Sequence, residues 1–85
     1  MKNPERNIKV YAVNNYKVDN KFDIYLEFSG QREWLMMHRH SGILFGILKN
    51  GARLDDLRRI RGRDQKHVKY LLRVIDEYLE EEKSA

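Results

Sequence analysis

Eighty-five residues make one domain at most. A chain of this size buries only roughly 60–65% of its unfolded surface, which argues against a deep multi-layer catalytic cleft. With 41% apolar and 11% aromatic residues it is too hydrophobic for a disordered tail, and 35% charged residues imply a well-solvated exterior. The absence of cysteine excludes disulfides, thiolate catalysis and cysteine-ligated zinc. The longest apolar run, Ile43 to Leu48, contains Gly46 and falls far short of the ~18 residues of a membrane helix. The N-terminal MKNPERN has no signal-peptide apolar region. A soluble, cytoplasmic protein with no membrane association is expected.

The formal charge of +4 conceals a change of sign along the chain. Residues 1–29 carry net +1, residues 30–73 net +7 and residues 74–85 net −4. Arg58, Arg59, Arg61, Arg63, Lys66, Lys69 and Arg73 form the densest basic stretch, and Asp76, Glu77, Glu80, Glu81 and Glu82 follow it. A cluster of the first kind attracts polyanions; one of the second kind repels them.

In chain order, Ile8, Val10 and Ala12 alternate as a first strand, about 8–13, and Phe22, Ile24, Leu26 and Phe28 as a second, about 22–28. Ser29-Gly30-Gln31-Arg32 suits a type II′ turn, with Gly30 supplying positive φ at the first central position. A third strand over about 32–38 then completes an antiparallel hairpin. In that register Leu26 faces Leu35 and Ile24 faces Met37, while Tyr25, Trp34 and Met36 fall on the opposite face. The register of the first strand stays open. Asn14-Asn15 and Asp19-Asn20 are both turn signals, and a one-residue slip exchanges Ile8, Val10 and Ala12 for Tyr11 and Val13.

The second half reads as three helices, over about 42–49, 54–61 and 64–82. Ser41 can cap the first, whose apolar residues lie all round and imply burial, and Asn50-Gly51 ends it. Leu54, Leu57 and Ile60 give the second its helical spacing, with Asp55 and Asp56 early and Arg58, Arg59 and Arg61 late, as the helix dipole favours. Gly62 stops it. Asp64 is the candidate N-cap of the third, where Val68, Leu71, Leu72, Ile75 and Leu79 recur on one face. The expected fold is α+β, a three-stranded antiparallel sheet followed by three helices packed on one sheet face.

Two surfaces carry surplus apolar groups. Tyr70, Val74 and Tyr78 widen the last helix's stripe to an arc of roughly 200°, and Tyr25, Trp34 and Met36 would be left uncovered if helices lie on one sheet face only. Tyr25, Trp34, Met36, Tyr70 and Tyr78 are therefore candidate contact residues for a homodimer or another protein partner. The competing explanation is that the first two helices and the first strand cover them.

Lys66, Lys69 and Arg73 form a stripe about 60° wide opposite the core face of the last helix, with Arg58, Arg59, Arg61 and Arg63 just upstream. These seven cations are the candidate phosphate contacts of a helix-turn-helix-shaped unit binding DNA or RNA. Arg61 stands where that motif expects an apolar residue and Arg58 where it expects a small one, so no family is assigned. Neutralisation of the face by Glu77 and Glu80 is the competing outcome. Reading nucleic acid with the three-stranded sheet is the less attractive mode, because Asp23 and Glu27 would face the phosphates beside Tyr25. The spacing of His38, His40 and His67 is not diagnostic of a metal site, although with Asp55 or Asp56 they supply enough ligands for one, and the same histidines as acid and base beside arginines would suit a small ribonuclease, the lesser alternative. Ser41 lacks a nucleophile elbow, and no phosphate-binding loop is present. The expectation is a nucleic-acid-binding accessory protein that is not an enzyme and uses no cofactor or metal, against the alternative of a protein-interaction or homo-oligomeric structural domain.

Overall fold

Alternation in the first half and helical spacing in the second produce, in the computed structural model, an α+β architecture described over residues 8–84, with side chains through Glu81. The MKNPERN segment and the Glu82 side chain lie outside the described residues. Strands β1 (Lys9–Asn14), β2 (Lys21–Phe28) and β3 (Gln31–Arg39) are followed by α1 (Gly42–Leu48), a two-residue strand β4 (Ala52–Arg53), α2 (Leu54–Arg59), a 3-10 turn at Gly62–Asp64 and α3 (Gln65–Ser84). The sheet is antiparallel, in the order β3-β2-β1-β4.

The fourth strand corrects the expected count of three. After α1, Gly51 at φ +88 turns the chain so that its N–H donates to the Leu48 carbonyl at 2.9 Å. Ala52 and Arg53 then pair with Val10 and Lys9, and the Leu54 N–H reaches the Ile8 carbonyl at 3.0 Å. Two residues are too few to display a period-two pattern, which is why no alternation betrays them.

The β1 register resolves in favour of Ile8, Val10 and Ala12, all buried, with Val10 opposite Leu26 and Ala12 opposite Ile24. The β2–β3 hairpin differs from expectation. Its central residues are Ser29 and Gly30, both at positive φ (51° and 77°), the pattern of a type I′ turn rather than II′. Phe28 therefore faces Gln31 and Leu26 faces Glu33. Between the Tyr25–Trp34 and Ile24–Met36 pairs the register shifts, leaving Leu35 as the extra residue of a β-bulge. The bulge reverses the phase of β3 beyond it. Met36 turns to the core and Met37 to the opposite face, the reverse of the expected placement.

One buried cluster joins Ile8, Val10, Ala12, Phe22, Ile24 and Leu26 of the sheet to Leu44 and Leu48 of α1, Leu54 and Leu57 of α2, and Val68, Leu71 and Ile75 of α3. Burying a Leu- or Ile-sized side chain contributes about 1.5–3 kcal/mol, so this cluster is the main stabilising term. Ser41 caps α1 as expected, its Oγ accepting from the Leu44 N–H at 3.3 Å. Ile43, however, is 49% exposed, so α1 buries one face and not its whole circumference. α2 ends at Arg59, because Ile60 is already extended (ψ 130°), and Gly62 at φ +79 redirects the chain into the 3-10 turn that holds Asp64.

Candidate nucleic-acid interface

Because side chains alternate across a strand, the sheet face opposite the core carries the odd-numbered residues of β1 and β2 and their cross-strand partners. Pairing arranges them in rows. Arg53, Lys9, Glu27 and Arg32 make the first; Tyr11, Tyr25 and Trp34 the next; then Val13, Asp23 and Met37; then Lys21 and Arg39. Five cations thus share the face with two carboxylates.

The aromatic row is continuous. Tyr11 and Tyr25 stack with centroids 5.2 Å apart and planes 7° from parallel, and Tyr25 meets Trp34 at 4.8 Å and 53°. Arg32 lays its guanidinium over the Tyr25 ring, 5.1 Å from the centroid. Tyr25 is sealed beneath these neighbours at 3% exposure, whereas Trp34 is 56% exposed. At the other end, the Tyr11 ring rests against the Gly51 backbone, so closely that a Cβ there would lie 2.6 Å from Cε1. One carboxylate of the face is already engaged, since Asn15 donates through Nδ2 to Asp23 Oδ1 at 3.1 Å.

The basic stretch of α2 and α3 is less uniform than its sequence. Arg58 pairs with Asp76 at 2.8 Å, and Arg59 approaches Asp56 at 4.0 Å. Arg61 folds back, its guanidinium donating to the carbonyls of Arg58 and Ile60 at 2.9 and 3.0 Å, where the α2 C-terminus leaves acceptors unfilled. Arg63 is exposed. Lys66, Lys69 and Arg73 do converge, lining with Tyr70 an open depression of about 420 Å³, and Arg73 lies 6.0 Å from the Tyr70 ring centroid. Glu77 and Glu80 continue the same exposed side of the helix and share a neighbouring groove with Lys69 and Arg73.

The five candidate protein-contact residues are divided by the fold. Tyr25 and Trp34 touch on the open sheet face, Met36 packs against the core, Tyr78 is half-buried against it, and Tyr70 stands exposed on α3. Lys9, Tyr11, Lys21, Arg32, Arg39 and Arg53 share this face and Gly51 borders it, and none of them was among the candidate contact residues read from the sequence. The alternation that placed Val10 and Ala12 inside also placed Lys9 and Tyr11 outside, and was the available signal.

Among the described residues no His/Asp/Glu grouping is arranged to hold a metal ion. Burial against its surroundings pushes the His38 pKa below its ordinary value; the ring packs on Phe22 at 5.4 Å. No helix among the described residues is long and apolar enough to cross a membrane.

No protein-family model, curated protein or solved structure matches the chain.

Proposed function

We propose that this chain is a non-enzymatic, cytoplasmic nucleic-acid-binding accessory protein whose helices cover one sheet face and whose other face receives a single strand of RNA or DNA. The observation that carries this function is the stacked row Tyr11–Tyr25–Trp34, open at Trp34 and bordered by Lys9, Arg32 and Arg53 on one side and Lys21 and Arg39 on the other. Single-stranded nucleic acid is bound by this combination: an aromatic surface on which bases stack, with cations for the phosphates. Trp34 offers the stacking plane, and Arg32, held over Tyr25, supplies a second flat cationic surface next to it. A duplex is the poorer fit, because its stacked bases present no free faces to an aromatic side chain.

The seven cations of α2 and α3 are weaker phosphate contacts than their density in sequence implies. Arg58 and Arg61 spend their guanidiniums on Asp76 and on backbone carbonyls, and acidic residues continue the stripe formed by Lys66, Lys69 and Arg73.

Anisotropy titrations with labelled single-stranded and duplex oligonucleotides separate the two surfaces. Trp34→Ala should weaken single-strand binding by roughly 5- to 150-fold, the equivalent of about 1–3 kcal/mol for one stacked base. Arg32→Glu should weaken it further and flatten its salt dependence. Loss of binding on reversal of Lys66 and Lys69, with Trp34→Ala silent, would transfer the interface to α3 and contradict the sheet-face assignment.

A further inference from the structure

The exposed side of α3 is charged in two blocks. Lys66, Lys69 and Arg73 occupy its N-terminal half and Glu77, Glu80 and Glu81 its C-terminal half, all exposed, while Asp76 is engaged by Arg58. This order is unfavourable for the helix by itself. Lys66 stands in the first turn, at the positive end of the macrodipole, and Glu81 in the last, at the negative end, while Arg73 precedes Glu77 by four residues, the weaker orientation for such a pair. Among the described residues no ion pair joins Arg73 or Lys69 to these glutamates.

The pattern is self-complementary in one arrangement. We propose that α3 docks antiparallel against α3 of a second copy of this chain, the basic half of each helix lying along the acidic half of the other. A two-fold axis near the level of Ile75 sets Arg73 against Glu77, Tyr70 against Glu80 and Lys69 against Glu81, each contact occurring twice. A parallel pairing would oppose like charges throughout. The surface also has the relief that helix packing uses: an open depression of about 420 Å³ beside Tyr70 and a groove of about 370 Å³ lined by Leu72 with Lys69, Arg73, Glu77 and Glu80. Tyr70, 52% exposed, adds a ring that lies along the side-chain methylenes of Glu80 in this register, contact area that exposed ion pairs alone lack. The sheet faces remain outside this interface, so the association does not depend on the nucleic-acid function proposed above.

Sedimentation equilibrium of the nuclease-treated full chain tests this. Dimer is expected at ~50 mM salt, with the dissociation constant rising roughly tenfold or more at ~500 mM, where screening shortens the reach of the charges. The acidic-helix variant Lys69→Glu/Arg73→Glu and the basic-helix variant Glu77→Lys/Glu81→Lys should each be monomeric alone and should form a one-to-one heterodimer when mixed. A monomer at all concentrations and salts, a dimer indifferent to both reversals, or two folded variants that fail to combine would each overturn the proposal. Circular dichroism of each variant confirms that it is folded before mixing.

Discussion

At the scale of single residues, Gly51 and His38 show how little sequence is needed to fix a local outcome. Gly51 has φ +88, and an added Cβ would meet Tyr11 Cε1 at 2.6 Å and Cζ at 2.7 Å. Gly62 has a similar φ, +79, but open space around it. Gly51→Ala is therefore expected to cost about 2–4 kcal/mol, from backbone strain plus displacement of the Tyr11 ring. Gly62→Ala should cost only the backbone part, about 1–2 kcal/mol. Urea denaturation of the two variants side by side checks the difference, and equal losses would remove the close contact from the account. His38 titrates below its ordinary value because burial disfavours the charged ring. A group whose folded pKa is depressed binds fewer protons folded than unfolded, so its contribution is complete above the unfolded pKa of about 6.5 and is lost as pH falls through the lowered folded value. Stability should decline on acidification from pH 7 through that window, and His38→Gln should flatten this part of the pH profile.

At the scale of elements, what could be read from sequence was what repeats. The period-two alternation of Phe22, Ile24, Leu26 and Phe28 located β2, and the spacing of Val68, Leu71 and Ile75 located α3, because each pattern is written several times over. Single-residue events left no such trace. The hairpin turn centres on Ser29-Gly30, one residue earlier than glycine's preference for the first central position suggests, because Ser29 itself accepts a positive φ. The bulge at Leu35 then moves Met36 inward and Met37 outward. Packing and charge separate on α3. Leu71, 1% exposed, lies in the buried cluster, and Leu71→Ala should cost about 2–5 kcal/mol. The Arg58–Asp76 pair, with side chains 35% and 57% exposed, is solvent-screened, and Asp76→Asn should cost less than ~1 kcal/mol. Thermal melts of both variants measure the contrast.

At the scale of the whole molecule, the density of charge in the sequence pointed to α2 and α3, and the fold redistributes its meaning. Arg58, Arg59 and Arg61 sit near acceptors of their own chain, a consequence of where Asp76, Asp56 and the α2 carbonyls come to lie, which no one-dimensional count can register. The sheet surface is assembled from residues spread between Lys9 and Arg53, none of them part of a dense run. Tyr25 and Trp34 could be read as sharing a face, but their direct pairing depends on the hairpin register and bulge, and their continuation through Tyr11 to Gly51 on β1 lying between β2 and β4. The protein contains a single tryptophan, Trp34, so its tryptophan emission, excited beyond the tyrosine absorption band, reports on this surface alone among the candidate interfaces. Titrating the chain with single-stranded oligonucleotides at ~50 mM salt should quench and saturate that emission, and raising the salt should reverse the effect steeply. Emission that stays unchanged at concentrations where binding is detected by other means, or an absence of binding at this salt, would contradict the assignment of the sheet face.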